Sequence, residues 1–102
     1  GITDMERERL LENLSVELAQ VLGDKLEQIL LYGSHARGEA HHRSDLDILI
    51  VIRGDFDYAS LIRQTSELIA RLSLENDVVI SRAFISQERL ENERSPFTLN
   101  VQ

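Results

Sequence analysis

Apolar positions recur at helical spacing near the start of the chain. Leu11, Leu14, Leu18 and Val21-Leu22 fall on one face, while Glu8, Arg9, Glu12 and Glu17 fall on the others. Such a pattern predicts an amphipathic helix. Thr3-Asp4-Met5-Glu6 has the form of a capping box at its start, and Gly23 is a natural stop because glycine takes left-handed conformations after a last turn. The run Leu26 to Tyr32 is short, apolar and ended by glycine, so it reads as a buried strand. Leu46 to Ile52 reads likewise, and its consecutive apolar residues predict cover on both faces beyond Asp47. A second helix is expected from Tyr58 to Ser73, introduced by Asp55 to Asp57, with Leu61, Ile62, Leu68, Ile69 and Leu72 as its apolar face. Asp77 to Ala83 is rich in β-branched residues and predicts a third strand. Ser86-Gln87-Glu88-Arg89 opens a short charged helix that Pro96 ends, and Phe97, Leu99 and Val101 alternate as a strand would. With a short helix after Gly33-Ser34, the order is helix, strand, short helix, strand, helix, strand, helix. The fold class is α/β or α+β, a small mixed sheet flanked by helices.

Length and charge narrow the functions. Over 102 residues the chain is expected to form one domain, residues 1–102, since two cores would leave each half too small to offset its chain entropy. The longest apolar run, Leu46 to Ile52, is well short of the roughly 20 residues that cross a bilayer. No secretory signal is visible; Gly1, which is not an initiator methionine, is expected to mark a trimmed start and is left out of the fold reading. A chain without cysteine suits a reducing cytoplasm, the expected location. A net charge of −7 argues against binding nucleic acid through its phosphates, which requires clustered Lys and Arg.

The chemistry concentrates in LLYGSHARGEAHHRSDLDILIVI, residues 30 to 52. On a strand, Asp45 and Asp47 share a face at a backbone spacing of about 7 Å, with Leu46 and Ile48 on the other. At an effective dielectric near 20 their repulsion is roughly 2 kcal/mol, which calls for a positive partner. Asp77, at the start of the next predicted strand, is the natural third carboxylate if the strands are neighbours. Hard oxygen donors at the end of a sheet suit Mg²⁺ or Mn²⁺, completed by water and phosphate oxygens. Gly33-Ser34, at a predicted strand-to-helix turn, has the makings of a phosphate site: free amides, the Ser34 hydroxyl and, one turn on, the Arg37 guanidinium. His35, His41, His42 and Arg43 are expected in a loop over the nucleotide rather than in a metal cluster, because adjacent histidines face different ways. Tyr32 is expected in the core. The charged residues of 6–12 and 87–94 read as solvated helix faces.

At these residues the sequence resembles the nucleotidyltransferase superfamily of polymerase-beta-like fold, whose signature is Gly-Ser, about ten residues, Asp-x-Asp and a later carboxylate. GSHARG followed by SDLDILIV in so short a chain resembles the minimal nucleotidyltransferases that act as antitoxins beside HEPN-domain toxins. The resemblance implies that ATP, held at Gly33, Ser34 and Arg37, gives its AMP to an acceptor hydroxyl with release of pyrophosphate. It implies Asp45, Asp47 and Asp77 as catalytic metal ligands, with Asp77 also helping to deprotonate the nucleophile. The acceptor it implies is a tyrosine of a partner HEPN ribonuclease, silenced by the modification in a hetero-oligomer. Two alternatives stand beside this: an antitoxin that neutralises its partner by occlusion alone, and AMP transfer to a small molecule, disfavoured because no second substrate domain is present.

Overall fold

Thr3 starts the first helix through both halves of the predicted capping box. Its Oγ1 accepts from the Glu6 amide at 3.1 Å, and the Glu6 carboxylate accepts from the Thr3 amide at 2.8 Å. Two orphan donors are thereby satisfied, and α1 runs Asp4–Leu22. A computed structural model of the chain describes residues 3–32 and 45–93. The short helix expected after Gly33-Ser34, the histidine loop and the tail from Phe97 lie outside the described residues.

Within α1 the buried stripe is Leu10, Leu14, Leu18 and Leu22. Leu10 takes the place expected for Leu11, which is only partly buried, and Val21 is left exposed. The neighbouring pairs Leu10-Leu11 and Val21-Leu22 offered two adjacent stripes, and packing on the sheet selected the one with strict four-residue spacing. Gly23 stops the helix at φ 59 and ψ −134, a positive-φ conformation outside the expected left-handed helical well. A single 3-10 turn, Gly23–Lys25, follows.

The sheet has three strands in the order β1-β2-β3, namely β1 Leu26–Tyr32, β2 Asp45–Ile52 and β3 Val79–Ser86. β1 and β2 are antiparallel, with Tyr32 opposite Asp47 and Leu30 opposite Leu49. β2 and β3 are parallel, with Asp45 beside Val79 and Ile52 beside Ser86. Parallel neighbours need a crossover of a dozen residues or more, supplied here by α2, Tyr58–Asn76. This helix runs three residues past its expected end. Asp57 precedes it without capping it through its side chain. Residues 87–93 are helical, and the Arg89 amide donates to Ser86 Oγ at 3.1 Å, the N-cap contact predicted there.

One sheet face builds the core. Leu46, Ile48, Ile50 and Ile52 are fully buried and cluster with the α1 leucines and with Leu61, Leu68, Ile69 and Leu72 of α2. Thr65, fully buried on α2, ties that helix to β3: Arg82 Nε donates to Thr65 Oγ1 at 2.8 Å and Arg82 Nη2 to the Ile62 carbonyl at 3.0 Å. At the start of α2, Tyr58 meets Phe84 edge to face with centroids 5.4 Å apart. The Arg71–Glu17 ion pair joins the two helices outside the core. The mixed sheet with helices on it is the fold class that the sequence predicted.

Candidate active site

The other sheet face carries the chemistry. Strand alternation sets Asp45 and Asp47 on it, opposite the buried Leu46 and Ile48. Asp45 is exposed and Asp47 half-buried. Directly opposed residues of an antiparallel pair share a face, so Tyr32 stands beside Asp47. Ser81, exposed on β3, pairs with Asp47 from the other side. On this face Leu30, Leu49, Ala83 and Ile85 are half-buried, and Val51, further along β2, is fully buried.

Neither Asp45 nor Asp47 has a hydrogen-bonded or ion-paired partner among the described residues. Two carboxylates on one face, without a counter-charge among the described residues, form a donor set that a divalent cation fits, because Mg²⁺ binds through one or two carboxylates and takes its remaining oxygens from water and phosphate. Asp45 and Asp47 thus share one face of β2, as strand alternation predicted, with Asp45 exposed and Asp47 half-buried.

Asp77 stands differently from its predicted place at the head of the third strand. It ends α2 in the left-handed conformation, φ 51 and ψ 51, with its amide directed at the Leu74 carbonyl and the Val78 amide at the Ser73 carbonyl. This double closure is the Schellman arrangement of a helix stop. β3 begins two residues later, and since Val79 aligns with Asp45, Asp77 lies at the same end of the sheet as the pair. Among the described residues no group of three His, Cys, Asp or Glu side chains is brought together to hold a metal. Helix propensity carried α2 on through Leu74-Glu75-Asn76, which displaced Asp77 from a strand position to a cap. Gly33, Ser34 and Arg37 lie outside the described residues.

Tyr32 corrects a second expectation. It is 43% exposed, not core. Its phenol is held above the ordinary tyrosine value, first by partial desolvation, then by the Asp47 charge and by Tyr58. Sequence reasoning missed its place in the site because the signal was the strand pairing, which the residues alone do not give. A cavity of about 350 Å³, lined by Gly54, Asp55, Phe56, Tyr58, Phe84, Ile85, Ser86 and Arg89, lies at the opposite end of the sheet and takes no part in this constellation.

Residues 12–93 match the polymerase beta nucleotidyltransferase family. The chain belongs to that family. It is a minimal nucleotidyltransferase of the polymerase-beta-like superfamily, and its substrate is a nucleotide. Two relatives from Methanocaldococcus jannaschii carry names that provisionally assign protein adenylyltransferase activity. One is 34% identical over 90 residues, covering 88% of this chain and 83% of its own. The other is 30% identical over 77 residues, covering 76% and 77%. No solved structure matches this nucleotidyltransferase significantly. None of its described helices is long and apolar enough to cross a membrane.

Proposed function

We propose that this nucleotidyltransferase moves AMP from ATP onto a hydroxyl of a partner protein, and that the partner is a HEPN ribonuclease toxin silenced at a tyrosine, which makes the chain an antitoxin. The observation that carries this reading is the Asp45–Asp47 pair on one sheet face, without an ion-paired partner among the described residues. The provisional naming of both archaeal relatives as protein adenylyltransferases supports a protein acceptor over a small molecule.

Asp45 and Asp47 are assigned to bind the divalent ion, which supplies charge neutralisation at the transferring phosphoryl group. Gly33, Ser34 and Arg37 are assigned to the triphosphate, through backbone amides, a hydroxyl and a guanidinium. The acceptor hydroxyl attacks the α-phosphorus as pyrophosphate departs from the far side. The half-buried apolar residues around the pair lower the local dielectric and strengthen each charge contact. Asp77 is assigned as third carboxylate and proton acceptor, a role that requires its side chain to turn toward the pair from the helix stop.

The test is incubation of the purified chain with the candidate toxin, Mg²⁺ and α-labelled ATP. Label on the toxin that disappears in Asp45→Asn and Asp47→Asn supports transfer. Neutralisation of the toxin that survives both substitutions supports occlusion instead.

A further inference from the structure

The transferase reading leaves Tyr32 without a task, although its position is singular. It is one of two tyrosines in the chain. Its register partner is Asp47, so the two Cα atoms are about 4.5 to 5.5 Å apart and both side chains leave the sheet on the same face. Tyr58 is placed otherwise, with its ring against Phe84 and its oxygen accepting from the Phe84 amide at 3.3 Å. Tyr32 is accessible, stands next to the carboxylates and bears a hydroxyl of the chemical kind that a protein adenylyltransferase modifies.

We propose that Tyr32 is an acceptor in cis, so that the enzyme adenylylates its own Tyr32 when no partner hydroxyl occupies the site. The inference rests on the adenylyl-transfer reading above. In the step, Tyr32 Oη attacks the α-phosphorus of ATP and an Oη–P bond forms. The bond between the α-phosphorus and the bridging oxygen to the β-phosphate breaks, and pyrophosphate leaves with its electron pair. The phenolic proton passes to solvent, to which this 43% exposed side chain has access. The product is O-adenylyl-tyrosine.

Ser81 is the competing hydroxyl, since it flanks Asp47 from β3 and is exposed. Its oxygen sits one bond beyond Cβ, close to the sheet. The tyrosine ring carries its oxygen several bonds further from the backbone than the serine oxygen, and 43% of Tyr32 is exposed. An AMP group on Tyr32 would place a bulky phosphodiester next to Asp47 and close the site to further substrate.

The native chain, alone, is incubated with α-labelled ATP and Mg²⁺, digested and mapped by mass spectrometry, with pyrophosphate release followed in the same reaction. The expected result is one AMP on the peptide containing Tyr32, falling to background in Tyr32→Phe and in Asp47→Asn. An unlabelled chain, or label on Ser81 or any other residue, overturns the proposal. Pyrophosphate release without label on the chain removes this proposal and leaves adenylyl transfer standing, whereas no release with or without the toxin removes both. Because the mapping is made on the native chain, a variant that fails to fold does not hide the answer.

Discussion

Tyr32 and Asp47 face each other across the antiparallel β1–β2 pair, an aromatic alcohol beside a carboxylate that has no hydrogen-bonding or ion-pairing partner among the described residues. Their proximity is measurable. The Tyr32 phenol is raised above the ordinary value of 10.0, chiefly by desolvation and secondly by Asp47. Asp47→Asn is expected to lower the midpoint while leaving it above that of free tyrosine, as followed by ultraviolet titration against Tyr32→Phe. Because the folded chain keeps this proton after the unfolded chain has lost it, the contribution of Tyr32 to stability is complete below pH 10 and is lost as pH rises through the folded-state value. A midpoint unmoved by Asp47→Asn would contradict the facing arrangement.

Asp45 and Asp47 repel each other in the folded chain and serve no described contact. Asp45→Asn and Asp47→Asn are each expected to leave the melting temperature unchanged or higher while transfer from ATP is lost. A loss of melting temperature parallel to the loss of transfer would assign the pair to structure. Such opposition between stability and activity is common where charges are gathered for function.

Asp77 separates backbone from side chain. Asparagine tolerates the left-handed conformation at least as well as aspartate, so Asp77→Asn keeps the helix stop and removes only the charge. Alanine in the same conformation is expected to cost about 1 kcal/mol. If Asp77 serves as third carboxylate, Asp77→Asn loses transfer with an unaltered urea midpoint. Full activity in that variant would restrict Asp77 to capping.

Thr65 tests the tie between α2 and β3. Thr65→Val keeps the shape of a fully buried side chain but deprives Arg82 Nε of its acceptor, leaving a donor unsatisfied at a cost of about 1 to 3 kcal/mol. The urea midpoint is expected to fall with an unchanged slope, and a neutral outcome would show that water replaces the lost contact.

The Glu6 carboxyl is held below its ordinary value of 4.5 by the backbone and side-chain hydrogen bonds of Thr3. A depressed folded-state value means that its stabilisation is present above about pH 4.5 and is lost as acid carries the pH down through the folded value. Thr3→Ala is expected to lower stability at neutral pH by about 1 kcal/mol and to flatten this part of the acid dependence. Parallel thermal melts between pH 3 and pH 7 would reveal a difference that narrows with acidity. A constant difference would show that Glu6 is not coupled to the cap.

Much of the fold could be read locally. The capping box at Thr3, the stop at Gly23 and the limits of β1 depend on residues within a turn of one another, and each was found where its local chemistry put it. The choice between Leu10 and Leu11 was not local, because both are leucine and only contact with the sheet distinguishes them.

By itself the sequence determined that Asp45 and Asp47 share a face, since side-chain alternation follows from backbone geometry wherever a strand forms. Tertiary structure decided which residues from other strands join them. Pairing register, a property of two segments distant along the chain, brought Tyr32 out of the expected core to stand beside Asp47. The extension of α2 to Asn76 turned Asp77 into a helix stop, although Leu74 in that extension is exposed and packs on nothing in the core. Alternation is fixed by covalent geometry, whereas register is settled by the balance of packing across the whole core.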